Sequence, residues 1–527
     1  MTFLSQDPKV VKKTKPLRLE VMYSKKKPMT SRFEEWRRKV GLVAGPVLFL
    51  LFVWLPFPSL SWQGHCLAAV LIWVIIWWIG EPVPLPITAI LGVVLSVLLG
   101  ITDIRTGLAP FSDPVIFLFM GSFLIARSMT YHGLDRRFAS SIFSWRWARK
   151  GPSRLLFMLG AVTAFLSMWI SNTATTAMMF PLALGIIAKL GQGSRSREDR
   201  SQVKLAAPLA TAFLLMTAYA SSVGGLGTPV GTPPNLIALG MLNKFVQVKI
   251  SFFQWMILAI PLIIVMYLVV FGLLLILHRP GTAEFKKVLE SIAPKNPHPK
   301  WTRGEKNTLF VFLFTVTFWV LPGLITLFQG QDSPLSQVLS NRLPEAVAAL
   351  SGALLLFLLP VDRKTRKPTL SWKEAVEIDW GTLLLFGGGL SLGDMMFKTG
   401  LASALGKSLL RLAGSESSWL LTLLGIYITI LLTETTSNTA ATTMMVPVLI
   451  SIATASGINP LPPALGCAFA ASLAFMLPVS TPPNAIVYGS GMIPITAMIR
   501  AGFLISLSGG LVIWAVLRLF LPLYGLI

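Results

Sequence analysis

Two stretches of this chain set hydroxyls and a carboxamide side by side in apolar surroundings. One is Ser171-Asn172-Thr173-Ala174-Thr175-Thr176-Ala177-Met178-Met179-Phe180-Pro181, and the other is Ser437-Asn438-Thr439-Ala440-Ala441-Thr442-Thr443-Met444-Met445-Val446-Pro447. Such a cluster is costly at hydrophobic depth unless it binds something. A single copy would read as Ser and Thr bonding back to their own helix. Recurrence at matching places in two halves argues for a site. A second pair of stretches accompanies the first: Gly224-Gly225-Leu226-Gly227-Thr228-Pro229-Val230-Gly231-Thr232-Pro233-Pro234-Asn235, and Pro478-Val479-Ser480-Thr481-Pro482-Pro483-Asn484. Gly and Pro at this density free backbone groups from the helical ladder.

The chemistry these residues permit is ion binding. Ser and Asn are strong N-cap residues, and a helix that starts just after Ser-Asn-Thr turns free N–H groups and its positive dipole end outward. Thr before Pro-Pro-Asn offers a second kind of helix start, with Pro at the first helical position. Helix starts from both halves, converging on one point, make an anion site with no Arg or Lys. The unwound stretches leave carbonyl oxygens free. With the Asn and Ser/Thr side-chain oxygens they form uncharged, all-oxygen cages, one per half, suited to Na⁺. Two cations flanking one anion would each lower the cost of holding the other at depth.

The elements that must hold these groups are membrane helices. The chain has 527 residues, 54% hydrophobic and 13% charged, with a mean hydropathy of +0.70. Apolar runs of about 20 residues recur from residue 42 to the C-terminus, which predicts an all-α polytopic membrane protein with about 11 spans. The net charge of +23 does not mark a nucleic-acid binder, because Lys and Arg collect in short loops, as the positive-inside rule predicts. The bias places the N-terminus in the cytoplasm and the C-terminus on the opposite side, most simply in the inner (cell) membrane. Cys66 and Cys467 lie in apolar runs and read as buried thiols. Phosphate-cradling, nucleophile-elbow and transition-metal spacings are absent from the sequence, and so is a Ser–His or paired-Asp constellation, so the chain is not read as an enzyme.

In order, residues 1–41 form a basic cytoplasmic tail able to lie on anionic lipid. Residues 42–278 hold the first spans and the first repeat, with a hairpin at 153–190 and a broken helix at 205–240. A basic linker follows at 279–306. Residues 307–527 hold the second repeat, with a hairpin at 418–456, a broken helix at 462–492 and a last span. Residues 133–150 and 400–412 read as interfacial segments. Gly388 through Leu401 matches Gly121 through Leu134 at constant offset. An odd number of crossings between corresponding points inverts the second copy, and inverted repeats with paired broken helices are the signature of secondary transporters. A run of nearly forty apolar residues with basic residues at both ends is read as a re-entrant hairpin with Ser171-Asn172-Thr173 at its tip. Arg127 and Asp394 read as structural partners or interface anchors, Glu434 as a hairpin hydrogen bond or salt bridge, and His65 and His132 as interfacial residues.

The paired Ser-Asn-Thr tips, the paired Thr-Pro-Pro-Asn loops and Trp-Trp-Ile-Gly-Glu-Pro-Val-Pro at 77–84 resemble the divalent anion/sodium symporters, over almost the whole chain after residue 40. The resemblance implies a homodimer whose transport domain moves as an elevator against a fixed scaffold. It implies substrate contacts at Ser171, Asn172, Thr173 and Thr232 from one half, and at Ser437, Asn438, Thr439, Thr481 and Pro482 from the other. A first sodium site would use Ser167, Ser171, Asn172 and Gly231, and a second Thr433, Asn438 and Ser480. Position 480 is Ser where the family often has Ala, and Trp169-Ile170 precedes the first tip where Thr435-Thr436 precedes the second. The expected activity is sodium-coupled symport of a C4-dicarboxylate, with membrane lipid as surroundings and no cofactor beyond Na⁺. A dicarboxylate exchanger without cation coupling and a sodium-coupled sulfate or citrate symporter remain as alternatives.

Overall fold

Helix length and burial sort the chain into two kinds of helix. The computed structural model describes residues 29–55, 60–140, 147–192, 200–278, 300–330, 333–362, 364–405 and 417–525. Among these, 7 helices are long and apolar enough to cross a membrane. Arg303–Gln329 has only 22% of its most apolar window buried, whereas Pro208–Gly227 is 100% enclosed. Apolar side chains such as Leu98, Phe328 and Leu358 face outward, as lipid-facing positions do. The enclosed helix is the first part of a broken one.

The hairpins form as the sequence predicts. Pro152–Ser167 and Asn172–Gln192 pack on each other and on Arg200–Gly224. Ser418–Thr433 and Asn438–Ala455 pack on each other and on Leu461–Ala470 in the same way. Each first limb has 16 residues, about 24 Å of helix, which falls short of a hydrocarbon core of about 30 Å. A limb of that length suits a hairpin that enters and returns.

The breaks fall at the Gly/Pro clusters. Arg200–Gly224 passes through a 3-10 turn at Gly225–Gly227, unwinds, and resumes as Pro233–Val246. Leu461–Ala470 unwinds and resumes as Pro482–Tyr488. Each resumed half-helix packs against the second hairpin limb and the first half-helix of the opposite half. This exchange brings the two hairpin tips together. The outer helices pair in the same reciprocal manner, Pro114–His132 with Glu345–Leu358 and Trp380–Lys398 with Leu85–Leu98.

Two expectations change. The first helix starts at Met29, well before residue 42, because Glu35, Arg37 and Arg38 continue it beyond the apolar run. Residues 1–28 of the expected tail, 141–146 and 406–412 of the interfacial segments and 279–299 of the linker lie outside the described residues. His65 is buried rather than interfacial, its Nε2 2.7 Å from the Phe52 carbonyl. His132 Nε2 lies 2.7 Å from the Thr369 carbonyl, tying a span to a short antiparallel strand pair, Pro360–Asp362 with Lys367–Pro368. Both cysteines are buried free thiols.

Candidate functional site

Each hairpin turns through four residues and ends its first limb on a hydroxyl. Ser167 Oγ donates to Asn172 Oδ1 at 2.7 Å, and Thr433 Oγ1 donates to Asn438 Oδ1 at 2.8 Å. The Asn that opens the second limb is thereby fixed from behind. Ser171 Oγ accepts from the Ala174 N–H at 3.3 Å and Ser437 Oγ from the Ala440 N–H at 3.1 Å, as N-caps do. The first N–H groups of both limbs stay free to meet an anion.

The unwound stretches are held by a residue the sequence reading used only as a motif letter. Asn235 Nδ2 donates to the carbonyls of Gly225 (2.9 Å) and Thr228 (2.8 Å). Asn484 Nδ2 donates to those of Ala474 and Leu477, both at 3.0 Å. The repeat of Pro-Pro-Asn was the available signal: one amide replaces two lost helical donors. The paired Thr caps differ from expectation. Thr481 Oγ1 accepts from the Asn484 N–H at 3.3 Å, while the Thr232 side chain makes no capping bond and stays available to the cavity.

Glu434 has a larger part than a hairpin contact. Its carboxylate accepts from the backbone N–H of Phe475 (2.8 Å), Met476 (2.9 Å) and Leu477 (3.3 Å), and from Ser480 Oγ (2.6 Å). Among the two expected forms this is the hydrogen bond. The Ser480 hydroxyl is therefore already engaged, and it also donates to the Glu434 carbonyl at 3.0 Å. At the matching place in the first half stands Met168, whose carbonyl accepts from Thr228 Oγ1 at 2.5 Å. Gly231 is tight there. A Cβ on it would lie 2.5 Å from the Gly225 carbonyl oxygen and 3.0 Å from that of Met168. Oxygens from the tip and the break thus converge on one spot in the first half, an uncharged donor set that fits Na⁺.

One cavity of about 560 Å³ gathers the parts, a volume ordinary for a small-molecule site. Ser171, Asn172, Thr173, Gly231 and Thr232 line it from one half, and Ser437, Asn438, Thr439, Ser480, Thr481 and Pro482 from the other. Ser167 and Thr433 are fully buried behind the tips and reach the site through their Asn neighbours. Asp394 lies elsewhere, paired with Lys398 at 2.8 Å and Lys244 at 3.8 Å. Arg127 is different: it pairs with Glu377, as a structural partner would, yet both line this cavity. A cationic side chain therefore stands in the wall of this cavity, beside the hydroxyls and amides that the sequence singles out. The signal missed was the place of Arg127 on a helix face that the opposite half packs against.

Residues 36–525 match the family described as the sodium:sulfate symporter transmembrane region. The chain is 34% identical to the sodium-dependent dicarboxylate transporter SdcS of Staphylococcus saprophyticus over 496 residues, 92% of this chain and 91% of that protein. It is 32% identical to SdcS of Staphylococcus aureus strain USA300 over 509 residues, 95% and 93% of the two. Among solved structures, it shares its fold with the Alcanivorax borkumensis YdaH transporter. The TM-score is 0.50 at 16% sequence identity, over 94% of this chain and 99% of that one.

Proposed function

The chain belongs to the sodium:sulfate symporter transmembrane family, and from that membership we propose that it is a secondary transporter that couples Na⁺ to a C4-dicarboxylate such as succinate, malate or fumarate. The observation carrying the reading is that both Ser-Asn-Thr tips and both Thr-Pro loops line one cavity. Curated relatives named sodium-dependent dicarboxylate transporter support it. Two separate sets of N–H donors suit an anion with charge at each end. Each helix start supplies roughly half a positive charge.

Coupling runs through Asn172 and Asn438. The side-chain oxygen of each is held on the cage side by Ser167 or Thr433, while its residue lines the cavity. Na⁺ in the cage orders the tip that binds the anion, and the anion's charge repays the cation, so each raises the other's affinity by the same factor. The first site would use Ser167, Ser171, Asn172 and Gly231, and the second Thr433, Asn438 and Ser480. The dicarboxylate would meet Ser171, Asn172, Thr173, Thr232, Ser437, Asn438, Thr439, Thr481 and Pro482. The hairpins and broken helices form the moving unit of an elevator within a homodimer, a movement that cross-links between paired cysteines on hairpin and outer helix would trap.

Uptake of labelled succinate into proteoliposomes is expected to need an inward Na⁺ gradient and to be competed by malate and fumarate more strongly than by sulfate. Uptake indifferent to Na⁺, or seen only after preloading with substrate, would replace symport by exchange.

A further inference from the structure

Among the residues lining the cavity, one cation stands with two carboxylates: Arg127, Glu377 and Asp379. Asp379 is committed elsewhere, its oxygens accepting from the Thr382 N–H at 3.1 Å and the Thr382 hydroxyl at 2.6 Å as it caps the helix Trp380–Lys398. Glu377 is not. Its side chain is 55% exposed, against 29% for Arg127, and its bond is to Arg127 Nη2. Arg127 Nε is buried and has no acceptor. Among the described residues the guanidinium is held by Glu377 through Nη2 alone, and that partner is one that water can reach, which is the setting in which a second carboxylate can displace the first.

Place adds direction. Glu377 and Asp379 lie just after the strand pair Pro360–Asp362 and Lys367–Pro368, whose turn carries Lys364 and Arg366. This basic turn marks the cytoplasmic side, so the ion pair stands at the inner mouth of the cavity. The first hairpin tip, through Trp169 and Ile170, shares that wall. Thr435 and Thr436 of the second tip instead bond to the first two helices, through Arg37 Nη1 to the Thr435 carbonyl and Thr436 Oγ1 to the Trp78 carbonyl, both at 3.0 Å. Arg127 thus shares one cavity with both tips.

We propose that Arg127 is a specificity-determining residue of the inner mouth, which takes a carboxylate of the departing or entering anion while Glu377 competes for the same guanidinium and so keeps inner-side affinity low. The proposal rests on this cavity being the dicarboxylate site. An anion with a further carboxylate, such as citrate, gains most from a free Arg127. Release to the cytoplasm is helped when Glu377 retakes it.

The test uses full-length protein in inside-out vesicles, with succinate and citrate half-saturation measured at fixed Na⁺. Wild-type Na⁺-dependent uptake is the control: if it is missing, the transport reading fails rather than this one. Glu377→Gln is expected to lower inner-side half-saturation roughly threefold to tenfold, more for citrate than succinate, the size of a charge-assisted bond released at a partly exposed site. Arg127→Gln is expected to raise it by a similar factor, and Arg127→Gln/Glu377→Gln to match Arg127→Gln. Unchanged or higher half-saturation in Glu377→Gln overturns the proposal. So does a gain that persists in the double variant, because Glu377 would then act only by repelling anions. If Arg127→Gln does not fold, Arg127→Lys, which keeps the charge without the fork, is expected to lose the preference for citrate. Retention of that preference would refute the role of Arg127.

Discussion

The two hairpins carry nearly the same words and are braced differently. In the second half a buried carboxylate, Glu434, gathers three backbone N–H groups and the Ser480 hydroxyl, and Arg37 and Trp78 hold the tip from outside. In the first half Met168 stands at the place of Glu434, and the break closes through carbonyls, Thr228 and a glycine with no room for a Cβ. The first tip is steadied by Trp169, stacked at 6.4 Å on Phe252 and edge-on at 5.2 Å to Phe312. One half is held by charge and hydrogen bonds, the other by close packing. The two copies of the Ser-Asn-Thr motif therefore sit in different frames, one braced by a buried carboxylate and one closed by packing.

The largest effects should ignore this difference. Asn172→Ala and Asn438→Ala each remove a side chain that lines the cavity and is held from behind by a hydroxyl, and on the proposed reading either is expected to cut succinate uptake on the order of 100-fold. That is the size of one or two bonds to charged groups at about 1.5–3 kcal/mol each. Elution on size exclusion and thermal unfolding should stay near wild type. Normal transport by both variants would remove the site assignment.

Next comes a swap that writes the first half into the second. Glu434→Met strips an acceptor from buried N–H groups and is expected to cost about 3–5 kcal/mol, measured by thermal unfolding in detergent. Met168→Leu, a volume-conserving change at the corresponding place, should cost less than about 1.5 kcal/mol. Equal losses would mean that the two frames are not different in kind.

A third pair reverses the order. Gly231→Ala pushes a Cβ into backbone oxygen at 2.5 Å, where only the main chain can give way. The Na⁺ half-saturation of uptake should rise about tenfold or more, as for the loss of a well-placed polar contact. Ser480→Ala only deletes a hydroxyl already spent on Glu434, and a rise of no more than a fewfold is expected. A larger effect from Ser480→Ala would make its hydroxyl an ion ligand.

The smallest effect is expected outside both frames. Asp394 bonds Lys398, 58% exposed, and Lys244, 24% exposed, so Asp394→Asn should change stability by only about 0.2–1 kcal/mol. Succinate half-saturation should not move. A pure affinity loss would tie this cluster to the cavity.

Much of this was legible in the sequence because polar groups at hydrophobic depth are expensive. Ser-Asn-Thr and Thr-Pro-Pro-Asn stand out against apolar runs, and repetition removes the reading in which they merely bond to their own helices. What stayed hidden depended on partners far along the chain. Glu434 braces residues more than forty positions on, and Arg127 meets Glu377 across a separation of 250, so neither shows in a local pattern. The start of the first helix at Met29 was hidden for another reason: polar residues prolong a helix beyond the membrane without any change of backbone. Thr481 caps its half-helix and Thr232 does not, a difference that a shared motif does not encode.

The central claim is that alkali ions and peptide dipoles from both tips hold the dianion together. It is tested most directly by the thermal unfolding midpoint of the purified protein with succinate, in NaCl and in KCl of equal ionic strength. The account predicts a rise in Tm with succinate in Na⁺, little in K⁺, and none in Asn172→Ala or Asn438→Ala. An equal rise in both salts would contradict it.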